Sequence, residues 1–106
     1  WPSPAEKVDL TGGWHWDFEP PDEVRFPALG LGLECARRGG TTGAVLNGAN
    51  EAAVAGFLHG ELKFHDIVPA CRSVLDHHEF DPHPTLEQLL QLDRWARQEV
   101  SRWVCT

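Results

Sequence analysis

A glycine-threonine turn followed by a helix of small residues constrains the fold of this chain more than any other feature. Residues 39–43 read Gly-Gly-Thr-Thr-Gly. The glycine pair supplies a residue able to take a positive φ at the end of one helix, and Thr42 is the candidate N-cap of the next. That second helix is predicted to run to about His59. Because alanine and glycine make it thin and a wide face is apolar, we expect it to be the central helix of a bundle.

A first helix is predicted from Pro27 to the glycine pair, because proline is well tolerated at the first helical position. Its predicted inner stripe has apolar residues at spacings of four and three: Leu29, Leu33 and Ala36. Gly30 and Gly32 each weaken this helix by roughly 1 kcal/mol relative to alanine. Close packing of another backbone against them would account for their presence.

Two further helices are predicted in the second half of the chain. The third covers residues 66–78, with the inner stripe Ile67, Cys71, Val74 and Leu75. The fourth begins at Thr85, since Gln88 three residues later completes a Thr-x-x-Gln capping box. Its predicted inner face is Leu86, Leu89, Leu90, Ala96, Val100, Trp103 and Val104. Four helices with short connections pack most simply as an antiparallel bundle, so the predicted class is all-α, a four-helix bundle over residues 25–106.

Residues 1–24 differ from the rest and are interpreted as an extended linker arm. They are rich in proline and contain a glycine pair, both of which punctuate regular structure. Trp14, Trp16 and Phe18 alternate, which places three large apolar side chains on one face of an extended segment. We expect such a face to pack against this bundle or a neighbouring domain, because exposed apolar patches favour association.

The central helix also carries a polar face. Asn47, Asn50 and Glu51 are spaced by three and four residues, so their side chains share one side of the helix. One interpretation is solvation or local capping, since polar helix residues are mostly exposed. The other is a hydrogen-bonding surface that holds a loop, the arm or another domain in register, because carboxamides offer donors and an acceptor without charge. No nucleophile, base or metal set accompanies the trio, so catalysis is not predicted for it.

Charge and cysteine content limit the partners and the compartment. A formal net charge of −7 argues against binding to nucleic acid, which needs clustered Lys and Arg. We expect Arg37, Arg38, Arg94, Arg97 and Arg102 to lie on solvated helix faces. The three cysteines, Cys35, Cys71 and Cys105, are an odd number without a Cys-x-x-Cys pair, which favours free thiols in the reducing cytoplasm. No apolar run approaches the ~20 residues that span a bilayer, so no membrane partner is predicted.

The histidines leave two interpretations open. His77, His78, Asp81 and His83 fall within seven residues at a helix end and loop, where they could in principle offer metal ligands. Adjacent histidines on a helix point about 100° apart, however. The other interpretation is surface histidines near a helix C-terminus, where positive charge is favoured. Catalytic, nucleotide-binding and zinc-protease motifs are absent from the sequence, and no catalytic, cofactor or metal residue is assigned.

Several short motifs together resemble one enzyme family. They are Phe18-Glu19-x-Pro21-Asp22, Arg25-Phe26-Pro27, Gly39-Gly40-Thr41, Val45-Leu46-Asn47-x-Ala49-Asn50-Glu51, Phe57-Leu58, Phe64-x-Asp66-Ile67 and Leu92-Asp93-x-x-Ala96-Arg97. In this order and spacing they resemble the C-terminal part of 1-deoxy-D-xylulose 5-phosphate reductoisomerases, over residues 9 to about 104. The chain departs from the family pattern at Trp16-Asp17-Phe18, where Leu-Thr-Phe is more usual, and at Gly48, where alanine is commoner.

The resemblance implies a part of a larger enzyme. Family members convert 1-deoxy-D-xylulose 5-phosphate to 2-C-methyl-D-erythritol 4-phosphate, an NADPH-dependent step of non-mevalonate isoprenoid synthesis that also requires a divalent metal, Mg or Mn. The NADPH-binding and catalytic domains, which precede this region, are the implied partners, and the parent enzyme is implied to be a homodimer. The chain matches only the linker and the C-terminal bundle, so it is expected to be non-catalytic on its own.

Two functions therefore follow as hypotheses. The first is a structural domain that braces the catalytic domain of a reductoisomerase, with contact candidates Asn47, Asn50, Glu51, Trp14, Trp16 and Phe18. The second is an autonomous helical protein-interaction module without enzyme activity. A dinucleotide-binding sequence upstream of Trp1 would decide for the first.

Overall fold

Four α-helices follow one another in the computed structural model, which describes residues 2–104. They are α1 (Pro27–Arg38), α2 (Thr42–Leu58), α3 (Ile67–His77) and α4 (Leu86–Val104). A short 3-10 turn at Phe64–Asp66 precedes α3 and takes up the residue at which that helix was predicted to begin. No strand occurs within the described residues. The all-α class and the four helices are confirmed.

Helix α2 lies at the centre of the fold and packs against all three other α-helices. Val45, Ala49 and Ala53, spaced by four residues, are completely buried along its inner stripe. The core around this stripe is built from Leu31 and Cys35 of α1, Ile67, Cys71, Val74 and Leu75 of α3, and Ala96 and Val100 of α4. The predicted central position of α2 and the predicted inner stripe of α3 are confirmed.

The turn between α1 and α2 satisfies the last carbonyl groups of α1. Gly39 has φ +67° and its N–H donates to the carbonyl oxygen of Cys35 at 2.9 Å. The Thr42 hydroxyl donates to the carbonyl oxygens of Cys35 at 3.0 Å and Gly39 at 2.7 Å. The glycine cap of α1 is therefore confirmed, but Thr42 as N-cap is wrong. Thr42 is the first residue of α2, and its side chain serves the end of the preceding helix.

The predicted inner stripe of α1 faces the wrong way. Leu29 and Leu33 are 44% and 42% exposed, whereas Leu31 and Cys35 are buried against α2 and α3. The Thr42 hydroxyl bond to Cys35 fixes this side of α1 inward. A Cβ atom at Gly30 or Gly32 would meet nothing within 4 Å, so the close backbone packing expected at these glycines is also wrong.

Helix α4 begins with the predicted capping box. The Thr85 N–H donates to Oε1 of Gln88 at 2.7 Å, and the Gln88 N–H donates to Oγ1 of Thr85 at 3.2 Å. The predicted inner face is correct at Ala96 and Val100 but wrong at its start, where Leu86 and Leu90 are exposed. Both leucines lie before Asp93, the point at which α4 closely approaches α2.

Residues 2–25 form no helix or strand, and every one of them is exposed. The division into an arm (1–24) and a bundle (25–106) remains an interpretation. Among the described residues, none of the helices combines the length and apolar character needed to cross a membrane.

Candidate functional site

The polar face of α2 is joined to α4 by one arginine. Arg97 of α4 donates from Nη2 to Oε2 of Glu51 at 2.6 Å. The same guanidinium holds both carboxylate oxygens of Asp93, from Nε at 2.9 Å and from Nη2 at 3.1 Å. Asn47 adds a weaker bond from Nδ2 to Oε1 of Glu51 at 3.4 Å. The Glu51 side chain is therefore bonded within the bundle and fixes the position of α2 relative to α4.

The arginine shifts the titration of both carboxyl groups. Its hydrogen bonds and positive charge hold the pKa of Glu51 below its usual value, with a smaller contribution from Asn47. The Arg97 hydrogen bond likewise lowers the pKa of Asp93, against a smaller opposing effect of burial. The two carboxylates in turn raise the pKa of Arg97. At neutral pH the two carboxylates and the guanidinium are therefore all charged, and the cluster offers no proton donor for acid catalysis.

Arg97 was expected to lie on a solvated helix face; it is partly solvated, and it also forms ion pairs that were not predicted. Its side chain is 39% exposed and forms ion pairs with Asp93 and Glu51. The spacing of Asp93 and Arg97 by four residues along α4 is the pattern of a helical ion pair. The sequence therefore held a signal for half of the cluster, whereas the contact with Glu51 depends on how the helices pack.

The two asparagines lie beside a groove between α1, α2 and α3. The groove has a volume of about 390 Å³ and is lined by Ala28, Leu31, Gly43, Leu46, Asn47, Asn50, Val68 and Cys71. Asn50 is exposed, and its side chain makes no hydrogen bond to any other described residue. Its carboxamide can offer both a donor and an acceptor to an incoming segment. The three residues that were predicted to act as one surface therefore have different roles. Glu51 bonds to Arg97 within the bundle, whereas Asn50 faces outward.

The aromatic side chains of the predicted arm do not belong to the core of the bundle. The Trp14 and Trp16 rings are stacked, with centroids 6.0 Å apart and planes 5° apart. Trp14 also donates from Nε1 to the carbonyl oxygen of Asp9 at 3.1 Å. The two tryptophans remain 58% and 66% exposed, and Phe18 is 85% exposed. Trp14 and Trp16 share one face, as the alternation predicts, and no part of the chain within residues 2–104 buries that face.

A second tie, which the sequence did not reveal, joins the α1–α2 turn to the loop before α4. The Thr41 N–H donates to the Asp81 carbonyl oxygen at 3.0 Å, and the Asp81 N–H donates to Oγ1 of Thr41 at 3.1 Å. The Asp81 carboxylate accepts bonds from the His83 N–H and from Nε2 of Gln88. Arg38, the last residue of α1, lies over the ring of Phe80 in this loop, 4.3 Å from its centroid. Asp81 therefore has a structural role in holding the loop.

The histidine and cysteine side chains among residues 2–104 are not gathered into a metal site. His77, the last residue of α3, and His78, which follows it, bond through Nδ1 to the α3 carbonyl oxygens of Ser73 and Leu75, respectively. Within residues 2–104, no group of three His, Cys, Asp or Glu side chains is placed to hold an ion. Cys35 and Cys71 are free and buried. Burial raises the pKa of the Cys71 thiol to about 11 and also raises that of Cys35, whereas Cys105 lies outside the described residues.

Comparisons with known proteins agree with one another. A sequence model of the family described as the DXP reductoisomerase C-terminal domain matches residues 1–99. The 1-deoxy-D-xylulose 5-phosphate reductoisomerase of Rhodopirellula baltica is 53% identical over 91% of this chain, and that of Desulforamulus reducens is 42% identical over 96%. These matches span only 21% and 26% of the two relatives. A solved structure of the reductoisomerase from Zymomonas mobilis, in complex with NADPH, aligns with 98% of this chain and 28% of its own, at 39% identity and a TM-score of 0.83.

Proposed function

We propose, from the premise that this chain belongs to the DXP reductoisomerase C-terminal domain family, that it braces the other domains of such an enzyme and performs none of the chemistry itself. The chain spans between about a fifth and a quarter of the relatives that it matches. The enzyme as a whole would convert 1-deoxy-D-xylulose 5-phosphate to 2-C-methyl-D-erythritol 4-phosphate. The oxidoreductase and isomerase activity thus belongs to the larger protein.

NADPH and a divalent metal, Mg or Mn, are the proposed cofactors of the larger protein. The NADPH complex of the Zymomonas mobilis enzyme supports the first. The residues of this chain do not fit either group, because the described part offers no set of three metal-ligating side chains and the sequence contains no Gly-x-Gly-x-x-Gly. We therefore place both sites in the domains that this chain lacks. A homodimeric parent in the cytoplasm completes the proposal, and the free thiols of Cys35 and Cys71 agree with a reducing compartment.

The observation that carries the bracing role is the exposure of the arm aromatics. Large apolar side chains are rarely left in water as a contiguous group unless a partner covers them. The stacked pair of Trp14 and Trp16 is more than half exposed. The Zymomonas mobilis structure aligns over 98% of this chain, most of the arm included, within a chain more than three times as long. A neighbouring domain is therefore the proposed cover for these rings.

The test compares the 106-residue chain with a full-length reductoisomerase that carries it as its C-terminal segment. Replacing Trp14 and Trp16 with alanine should leave unfolding of the short chain unchanged but lower the melting temperature of the full-length enzyme by several degrees. Leu86→Ala, an exposed position on α4, is the matched control and should change neither. If the full-length enzyme had the same melting temperature with and without the two tryptophan substitutions, the bracing role of the arm would be contradicted.

A binding measurement tests the non-catalytic part of the proposal. Calorimetric titration of the folded 106-residue chain with NADPH or Mn²⁺ should show no appreciable heat of binding. Tight binding of either would place part of the catalytic machinery in this chain and would overturn the proposal.

A further inference from the structure

We infer that residues 14–19 of the arm pair as a β-strand with an edge strand of a sheet in the part of the reductoisomerase polypeptide that this chain lacks. The inference rests on the proposed function and deepens it. It states how the arm is held, which is through backbone hydrogen bonds as well as through the cover over its aromatic rings.

The segment is already extended like a strand. The chain makes no bend or turn between residues 13 and 22. Two residues of a β-strand advance the chain by about 6.7 Å, and the stacked rings of Trp14 and Trp16 have centroids 6.0 Å apart. A glycine pair precedes the segment and a proline pair follows it, which is how strands are usually bounded. The six residues between these pairs have the length of a common strand.

The two sides of the segment differ in chemistry. One side is aromatic and exposed, with Trp14, Trp16 and Phe18. The other side is polar, with His15, Asp17 and Glu19. On that side, Nε2 of His15 lies 3.2 Å from Oδ1 of Asp17. Strict alternation of apolar and polar residues is the pattern of a strand with one face buried and the other in water. The aromatic side is therefore the one that a partner covers.

The backbone of the segment has no partner within the described chain. No N–H or carbonyl group of residues 13–19 forms a backbone hydrogen bond to any of residues 2–104. A row of free donors and acceptors on an extended chain is a template for pairing with another strand. Residues 2–104 contain no strand that could pair with it. The partner strand therefore belongs to another part of the polypeptide or to another molecule.

Two arguments favour the rest of the enzyme over a second copy of this chain. A second copy offers only its own arm within the described residues, and a pair of isolated strands is marginally stable at best. The family is that of a C-terminal domain, and the matched relatives are four to five times as long as the matched segment. Most of such an enzyme therefore precedes the arm and is tethered to it, at an effective concentration of about millimolar.

The missing part is also expected to contain an open sheet. Dinucleotide-binding domains are commonly open, twisted sheets, and an open sheet leaves edge strands with free backbone groups. The Zymomonas mobilis relative is a complex with NADPH. An edge strand in the missing part is therefore the occupant to which the inference commits.

Hydrogen exchange distinguishes strand pairing from packing of the side chains alone. Successive residues of a strand point their N–H groups to opposite sides, so a strand at a sheet edge bonds through every second amide. Exchange is followed residue by residue, by mass spectrometry with electron-transfer fragmentation. The two samples are the 106-residue chain and the Rhodopirellula baltica enzyme with its matching segment replaced by this chain. The N–H groups of Val24 and Arg25, which both donate to Oδ1 of Asp22 within the arm, are the internal control.

In the short chain, all six amides of residues 14–19 should exchange within about tenfold of the rates of an unstructured peptide. In the full-length protein, three alternate amides should slow at least 100-fold while the three between them stay within about tenfold. Val24 and Arg25 should change less than threefold between the two samples. Protection of none of the six amides, or of consecutive ones, in the full-length protein would overturn the inference. Alternate protection in the short chain that grows with its concentration would also overturn it, because a second copy would then be the partner.

A pair of variants tests which side is covered. Trp16→Thr and Asp17→Thr place the same strand-favouring residue on the two sides of the segment. Trp16→Thr should lower the melting temperature of the full-length protein by several degrees, whereas Asp17→Thr should leave it unchanged, and neither should affect the short chain. Equal effects of the two variants in the full-length protein would contradict a strand with one covered face.

The outcomes separate this inference from the proposed function. If the Trp14 and Trp16 alanine variants destabilise the full-length enzyme but alternate protection is absent, the bracing role stands and strand pairing is refuted. If the alanine variants have no effect and no amide of the segment is protected, both fail.

Discussion

Gly48 of α2 lies directly against the backbone of Asp93 in α4. A Cβ atom on Gly48 would stand 2.9 Å from the Asp93 carbonyl oxygen and 3.3 Å from its Cα. This approach brings α4 close enough for Arg97, one turn after Asp93, to reach Glu51, one turn after Gly48. The missing side chain at Gly48 and the ion-pair cluster are therefore parts of one helix crossing.

Gly48→Ala is expected to destabilise the fold. Alanine gains roughly 1 kcal/mol of helix propensity over glycine, but forcing a methyl group into a packed contact typically costs about 1–3 kcal/mol. The clash involves backbone atoms of Asp93, which cannot rotate away, so the cost should prevail. Urea unfolding measures the difference. Gly43→Ala, in the same helix with nothing within 4 Å of its Cβ, should be neutral or stabilising, and a stabilised Gly48→Ala would show that the helices are not held this close.

The turn glycines give a second prediction, in which two neighbours differ. Gly39 and Gly40 both have positive φ, +67° and +56°, so alanine costs about 1–2 kcal/mol at either position through backbone strain. At Gly40 the new Cβ would also lie 2.2 Å from the Asp81 carbonyl oxygen, whereas at Gly39 it meets nothing within 4 Å. Gly40→Ala should therefore cost at least about 1 kcal/mol more than Gly39→Ala, because overpacking adds to the strain. An equal loss of stability in the two variants, measured by thermal unfolding, would show that the hydrogen-bonded Thr41–Asp81 pair tolerates displacement.

Local signals predicted the helices well, because caps and periodicity depend on neighbours in the sequence. The Thr85–Gln88 capping box and the glycine end of α1 were found this way. The side of α1 that faces the core could not be predicted in this way. Leu29 and Leu33 lie on one side of the helix and Leu31 and Cys35 on the opposite side, so both sides are apolar. The choice between them depends on the Thr42 hydroxyl bond back to Cys35 and on the contact of Glu34 with Arg72 of α3, 38 positions away. The Glu51–Arg97 and Thr41–Asp81 ties were missed for the same reason, as each joins residues 40 or more positions apart.

The Arg97 cluster predicts a specific dependence of stability on pH. Glu51 and Asp93 have lowered pKa values in the folded chain, so they stabilise it above the ordinary carboxyl range, about pH 4. This stabilisation is lost as the pH falls through their folded pKa values. Arg97→Gln should lower the urea midpoint at pH 7, and the difference from the parent should shrink steadily below pH 4. Arg37→Gln on α1 serves as the control and should show no such convergence. A gap for Arg97→Gln that stayed constant down to pH 2 would mean that the ion pairs contribute nothing.

Asn50 offers the sharpest division between a role inside the bundle and a role toward another domain. Its side chain is exposed beside the α1–α2–α3 groove and has no hydrogen-bond partner among residues 2–104. Asn50→Ala should therefore leave the short chain as stable as the parent, or slightly more stable, since alanine is the better helix former. In the full-length enzyme, the same change should lower the melting temperature or the order between domains, because a partner group would be left without its hydrogen bond. Gln98→Ala, on the exposed side of α4, is the control. Unchanged melting and turnover of the full-length Asn50→Ala enzyme would reduce this asparagine to a solvated surface residue.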